Sequence, residues 1–291
     1  MNYPDTDIKA IQKLLHLQET GIYDELTEAA VRNYQIKHNL SPTGDLDEDT
    51  HTALLGDHNL SSDLSEQYNA SIHKYTLPSK EYLAGPTKKE YIFLHHTAGW
   101  NNPYAVVDNW ARDTRGAIGT QYVIGGINPK TNDDTHDGVI VECFGDANYA
   151  WHLGTGNTYV HTHSVGIELC NFGWLTKKGN DFYTYTNTRV DPKNVVTLKE
   201  SFRGYTHWVR YTDEQLNSLN HLIHLIAGKH NISVEIGLKQ RLKVMSPYKA
   251  LEYYNDAVNG KVKGVLSHTS VRRDKFDVFP QDELIDLINS L

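Results

Sequence analysis

Apolar positions along this chain follow two rhythms. Near the start, Ile8, Ile11, Leu14 and Leu15 recur on one helical face, and Val31, Tyr34 and Gln35 continue a second helical stretch. From about Glu81 the pattern changes to short β-rich runs, YIFLHH, TQYVIGG, GVIVECF and SVGIELC, each bounded by Gly, Asn or Asp; these read as buried strands of a mixed sheet. Helices are expected over Asn102–Arg112 and again from Thr212, where T-D-E-Q forms a capping box ahead of Leu216, Leu219, Ile223 and Ile226. Two later helices are expected to begin at Ser246-Pro247 and at Pro280, with proline in the first helical position. The last would bury Leu284, Leu287, Ile288 and Leu291. Between the two rhythms, DHNLSSDLSEQYNAS is polar and has no period, which reads as a linker. The predicted fold class is α/β, a mixed β-sheet flanked by helices with a small N-terminal three-helix domain. The expected boundaries are 1–57 for the helical domain, 58–80 for the linker and 81–291 for the α/β domain.

The N-terminal part repeats itself. Thr20-Gly21-Ile22-Tyr23-Asp24-Glu25-Leu26-Thr27 and Thr43-Gly44-Asp45-Leu46-Asp47-Glu48-Asp49-Thr50 share T-G-x-x-D-E-x-T at a period of 23 residues, with Ala30 and Ala53 following at the same offset. Each copy reads as a glycine turn leading into a helix capped by an Asp or Thr oxygen, which accepts from an otherwise unpartnered backbone N–H.

Composition narrows the function. Lys and Arg number 28 against 36 Asp and Glu, a net charge of −8, so no nucleic-acid partner is expected, because such binding depends on cations displacing phosphate counterions. The longest apolar runs, such as Tyr91–Leu94, fall far short of the ~20 residues needed to span a bilayer, and no membrane insertion is expected. The start, MNYPDTDIKAIQ, lacks a cationic segment followed by an apolar one, so no cleavable signal peptide is read. Cys143 and Cys170 fit neither a disulfide framework nor a zinc knuckle and read as two reduced core cysteines.

Unusual polar residues gather in three segments. YIFLHHTAG ends an apolar strand with His95 and His96; AWHLGTGNTYVHTHSVGIELCN holds His152, His161, His163 and Glu168; GVLSHTSVRRDKFDVFP holds His268, Lys275 and Asp277. Adjacent His95 and His96 on a strand point to opposite faces, so at most one naturally enters a given site. His268 meets Asp277 only if the residues between them loop back. Two imidazoles and a carboxylate with one position left open make a catalytic zinc site. Each histidine taken singly is better read as structural or surface.

In this order, YIFLHHTAGW, AWHLG, HSVGIELCN and SHTSVRRDKFD resemble the zinc-dependent type 2 N-acetylmuramoyl-L-alanine amidases, relatives of the peptidoglycan recognition proteins, over roughly residues 85 to 291. IQKLLHL, TGIYDELTEAAVRNYQIKHNL and TGDLDEDTHTALL resemble the peptidoglycan-binding domain found at the ends of many cell-wall hydrolases. The resemblance implies Zn2+ held by His95, His268 and Asp277, Glu168 as general base, Lys275 as a cationic stabiliser, and His96 and His152 near the substrate. It implies cleavage of the amide between the lactyl group of N-acetylmuramic acid and L-alanine. Some relatives place a Tyr on the strand written here GTQYVIGG; this chain offers Thr120, with Tyr122 two residues on. The His268-to-Asp277 spacing is nine residues, about one fewer than the resemblance implies, so the loop holding Lys275 is expected to be rebuilt.

Two further features stand outside the resemblance. Gly173 to Tyr211 looks inserted, either a surface hairpin turning at Asp191-Pro192 or a wall of the substrate groove. His161-Thr162-His163 is a polar loop, or less readily two imidazoles on one strand face as a second metal site. Some recognition proteins of this fold bind peptidoglycan without cutting it, but they tend to lack a metal ligand that this chain has. A wall-binding domain joined to an amidase without a signal peptide resembles a phage or prophage endolysin, made in the host cytoplasm and acting on the cell wall after release; a bacterial autolysin or recycling amidase is the alternative. The expected partner is peptidoglycan, and the sequence leaves the oligomeric state open.

Overall fold

The structure is a computed structural model describing residues 8, 9, 11, 12, 15, 20–38, 40–47, 49, 50, 53, 54 and 72–291. The chain divides into two compact units, Met1–Ala70 and Ser71–Leu291. Leu14, and the polar stretch from 55 to 71, lie outside the described residues.

In the first unit, helix α1 (Glu25–Lys37) is capped by Asp24, whose carboxylate accepts from Thr27 N at 2.9 Å. Asp47 accepts from Thr50 N at 2.8 Å in the second copy of the repeat. Residues 8, 9, 11 and 12 before α1 and 49, 50, 53 and 54 after it are helical. Ile11, Val31, Leu46 and Leu54 bury a small core between them.

The repeat extends beyond the motif that announces it. Buried Gln12 donates to Thr20 Oγ1, Ile22 O and Thr27 Oγ1 at 2.8–3.0 Å and accepts from Gly21 N at 2.9 Å. Buried Gln35 does the same with Thr43 Oγ1, Asp45 O, Thr50 Oγ1 and Gly44 N, at 2.8–3.1 Å. Each amide side chain thus ties a TG turn to the threonine closing the same motif. Gly21 and Gly44 have φ of 75° and 80°, the left-handed region where a side chain would be strained.

The second unit is built on a mixed six-stranded sheet of β1 (His73–Lys74), β2 (Tyr91–His96), β3 (Tyr122–Ile124), β4 (Ile140–Glu142), β5 (Ser164–Leu169) and, much later, β11 (Gly264–Ser267). Its order is β1-β4-β3-β5-β2-β11. The strands β3, β5, β2 and β11 run parallel, while β4 is antiparallel to β3 and parallel to β1. The pairing of His73 with Val141 corrects the linker boundary: from residue 72 the stretch read as linker belongs to this unit. Alternation along β2 sends Ile92 and Leu94 into the larger core and Tyr91 and Phe93 into a smaller one with Leu153, Val160 and Leu266.

Helix α2 (Pro103–Ala111) forms where the sequence predicts a helix, with Asn102 as N-cap and proline in its first turn. Helix α3 (Thr158–Thr162) precedes β5. Helix α4 (Asp213–His230) lays Leu216, Leu219, Ile223 and Ile226 on the sheet, with Thr212 accepting from Gln215 N. Its capping box is replaced: Gln215 donates to Cys170 O at 3.0 Å, because the end of the central strand β5 offers this buried amide a carbonyl. Helix α5 (Pro247–Ala250) starts as expected. After the short α6 (His268–Val271), helix α7 (Asp282–Ser290) begins two residues later than expected, with Gln281 as N-cap and Pro280 ahead of it. Gln281 is held by Tyr211, donating to its carbonyl and accepting from its N–H. Leu284, Ile288 and Leu291 are buried as predicted, and Ile285 joins them while Leu287 is half-buried. Cys143 and Cys170 are free and buried.

The segment 173–211 is larger than a hairpin. It forms a five-stranded antiparallel sheet of β6 (Trp174–Lys178), β7 (Asp181–Tyr183), β8 (Arg189–Val190), β9 (Val195–Phe202) and β10 (Tyr205–Val209), in the order β8-β7-β6-β10-β9. Asp191-Pro192 opens a single 3₁₀ turn rather than the hairpin bend. Leu198, Phe202 and Trp208 reach the main core, which is why this sheet is anchored to the unit rather than standing off its surface.

Gln12 and Gln35 make the same set of bonds, so Gln12→Leu and Gln35→Leu should cost alike. Each leaves buried partners unpaired, a loss of about 2–4 kcal/mol, which in so small a unit lowers its melting transition by roughly 10–20 °C. Calorimetry is expected to show both losses with the larger unit's transition unmoved. Unequal shifts, or a shift in the larger unit, would contradict the repeat.

Candidate active site

The parallel strands β5, β2 and β11 end side by side. Their register pairs His95 with Glu168 and Leu94 with Ser267, so His268, the residue that follows its strand, comes level with His95. Paired residues of parallel strands share a face, so the three side chains emerge together at the carboxyl ends of the strands, where open α/β sheets characteristically bind ligands. Ser267 caps α6 reciprocally with Ser270, turning the chain at His268. The chain then loops back, with Thr269 N donating to Asp277 O at 3.0 Å.

That loop delivers Asp277. Its Oδ2 lies 2.9 Å from His268 Nδ1 and 3.4 Å from His95 Nδ1, and the two imidazole nitrogens are 3.0 Å apart. All three residues are buried, and one candidate ligand atom from each lies within 4.8 Å of the others. His268 Nε2 faces Leu153 O at 3.1 Å, and a carbonyl only accepts, so Nε2 carries the hydrogen and Nδ1 of a neutral ring presents a lone pair. A lone pair and a carboxylate oxygen at 2.9 Å repel unless a cation or proton sits between them. The donor set, two imidazole nitrogens and one carboxylate, suits zinc.

Electrostatics sharpen the contrast between the two acids. Burial alone would raise Asp277, but the close approach of the His268 and His95 imidazoles outweighs it and holds the carboxyl well below its usual range. Glu168, 9% exposed, is pushed well above its usual range by burial and then by the negative charge of Asp277, with Lys275 opposing. His95 is lowered to about 4, chiefly by burial and then by the charge of His268. Burial thus leaves one acid ionised and raises the proton affinity of the other.

These groups open into a cavity of about 560 Å³. Its lining includes Glu168, Lys275 and His152, Thr97 and Thr120, and the aromatic rings of Trp110, Trp151, Phe172 and Trp174. Lys275 is half-buried at the wall, on the loop between His268 and Asp277.

His96 also borders the cavity, but its ring turns into the opposite core, with Nδ1 2.9 Å from the Tyr211 hydroxyl and edges toward Trp208 and Phe279. His152, placed beside substrate by resemblance, has both ring nitrogens committed within the protein: Nδ1 is 2.9 Å from His95 Nε2 and Nε2 is 2.8 Å from Ser164 Oγ. Ser164 drew no attention in the sequence, where it is only the first residue of a strand. The reading of His161 and His163 on one strand face is corrected: His161 lies in α3 and His163 caps it, its Nδ1 turned to Tyr159 O.

Tyr122 is excluded from the cavity by register. It pairs with Ile167, on the face opposite Glu168, and its hydroxyl donates to Glu142 Oε1 at 3.3 Å. Burial, with Glu142 and Asp146 adding to it, pushes that phenol far above its usual range.

A profile described as N-acetylmuramoyl-L-alanine amidase matches residues 85–237, and one described as "Putative peptidoglycan binding domain" matches residues 5–54. Among solved structures, the catalytic domain of XlyA is 14% identical, covering 75% of this chain and 98% of that one at a TM-score of 0.40. The endolysin N-acetylmuramoyl-L-alanine amidase LysCS from Clostridium intestinale is 15% identical, with coverages of 75% and 95% and a TM-score of 0.38. The E. coli N-acetylmuramyl-L-alanine amidase AmiD, in complex with an anhydro-N-acetylmuramic acid peptide, is 20% identical, with coverages of 52% and 48% and a TM-score of 0.32. No curated protein matches the sequence.

Removing one of the three converging groups tests whether they act together. After dialysis against a single equivalent of zinc, His268→Ala is expected to retain far less metal than the parent, whereas Tyr122→Phe, which touches only the far face, retains the parent amount. Equal metal in all three proteins would show that the ion sits elsewhere.

Proposed function

Because the chain belongs to the N-acetylmuramoyl-L-alanine amidase family and hydrolyses the peptidoglycan amide between N-acetylmuramic acid and L-alanine, we propose that it does so with zinc held by His95, His268 and Asp277. The observation supporting this is the convergence of those three buried groups beside Glu168 in an open cavity. When bound, zinc supplies Lewis acidity, polarising a carbonyl and acidifying water.

The chain's own residues do the rest. Glu168, whose raised proton affinity suits a general base, takes a proton from the attacking water and returns it to the nitrogen of L-alanine as the amide breaks. The Lys275 ammonium, at the cavity wall, offsets negative charge that develops on the amide oxygen. Phe172 and Trp174, at the mouth of the inserted sheet, form one wall of the substrate groove.

The N-terminal unit anchors the enzyme to the wall, raising local substrate concentration without adding active-site contacts. The pairing supports an endolysin that acts on the cell wall after release, with an autolysin as the alternative. No helix among the described residues is long and apolar enough to cross a membrane.

Mass spectrometry of digested, purified peptidoglycan is expected to show new lactyl carboxylates on muramic acid and free L-alanine amines. Glu168→Gln keeps the shape but not the base, so this product should form about 10²–10⁴-fold more slowly with zinc content unchanged. Products cut at a glycosidic or inner peptide bond would overturn the reading, and near-parent turnover by Glu168→Gln would move the base elsewhere.

Residues 72–291 alone should digest soluble muropeptides at the full-length rate and bind whole sacculi more weakly. Equal pelleting of the two proteins with sacculi would remove the anchoring role.

A further inference from the structure

His95 is tied to a run of buried polar groups that leads away from the three converging residues. His95 Nε2 lies 2.9 Å from His152 Nδ1, His152 Nε2 lies 2.8 Å from Ser164 Oγ, and Ser164 Oγ donates to His161 O at 3.0 Å. The far end sets the direction of every bond in it. A carbonyl has no hydrogen, so the serine hydroxyl spends its one hydrogen there and must accept from His152. His152 therefore carries its hydrogen on Nε2, and its bare Nδ1 accepts from His95 Nε2. His95 is left with an unprotonated Nδ1, the atom that faces His268 Nδ1 and Asp277 Oδ2.

From this geometry we propose that His152 and Ser164 are positioning residues that hold His95 in its metal-binding tautomer and orientation. The inference rests on the zinc reading above and extends it to residues that do not themselves touch the ion.

The surroundings are shaped to hold the His152 ring in place. A side chain at Gly166 would put its Cβ 2.9 Å from His152 Nδ1, so the bare backbone of β5 makes the space the imidazole occupies. The rings of Phe93 and His161 meet it edge-on, with centroids 6.1 and 5.9 Å away. His268 is held in the same sense by the Leu153 carbonyl, the residue next to His152. One short stretch, His152-Leu153, thus sets the tautomers of both histidines. Outer partners of this kind typically govern metal affinity by about 10–100-fold.

The test is zinc affinity, measured by competition with a chromogenic chelator, together with the visible spectrum of the cobalt-substituted protein. His152→Phe keeps a ring but no nitrogens and is expected to weaken zinc binding about 10–100-fold and to shift the cobalt bands. Ser164→Ala, which lets His152 take the other tautomer, should weaken binding in the same direction by a smaller factor. His152→Asn, which keeps an acceptor near the Nδ1 position, should recover part of the loss, as a merely space-filling role would not. Should His152→Phe lack the parent's circular dichroism, Ser164→Ala and His152→Asn carry the comparison. Affinities within about twofold of the parent and unchanged cobalt bands in these variants would overturn the proposal while leaving the zinc site standing. A parent protein that binds no zinc would overturn the metal reading itself.

Discussion

Everything at this site depends on the register of three parallel strands. Tyr91–His96 lies between Ser164–Leu169 and Gly264–Ser267, and the pairing puts Glu168, His95 and His268 in one row at the strand ends. Side chains alternate along a strand, so a slip of one residue would carry His96 to the metal face, bury His95 in the main core and turn Glu168 away. The apolar residues resist that slip: Ile92 and Leu94 belong to one core, Tyr91 and Phe93 to the other, and both are fully buried. Ordinary hydrophobic packing therefore fixes the placement of the polar groups.

Burial then gives the row its chemistry. Away from water, unpaired charge is costly, so each polar group must find a partner or change its protonation. Asp277 finds two imidazoles and stays ionised; Glu168 has burial and a like charge against it and holds its proton more tightly. A site of this kind is strained without a cation and complementary to one. Carbonyls and hydroxyls behind the histidines fix which nitrogen faces inward, so a cation would meet lone pairs already in place.

Much of this was legible in the sequence. The strand runs, the repeat with its Asp caps and the cap at Thr212 follow from periodicity and motif, and the meeting of His268 with Asp277 is what the family resemblance implies. What escaped was set by tertiary context. Gln215 forsakes its helix cap for Cys170 O, a choice decided by the nearby sheet. Residues 173–211 form five strands because Leu198, Phe202 and Trp208 find the main core, which no local pattern announces. Gln12 and Gln35 look like ordinary polar helix residues until the turn folds onto them. His152 has its two ring nitrogens taken by His95 and by Ser164, which is unremarkable in sequence.

The central claim is that the strand register builds an open, three-ligand zinc site with a free acid beside it. Anomalous diffraction at the zinc absorption edge from crystals of the full chain tests this directly. The account requires one strong peak bonded to His95 Nδ1, His268 Nδ1 and Asp277, with Glu168 outside bonding distance and a fourth position open to the cavity. A peak elsewhere in the molecule, or one in which Glu168 closes the fourth position, would contradict it.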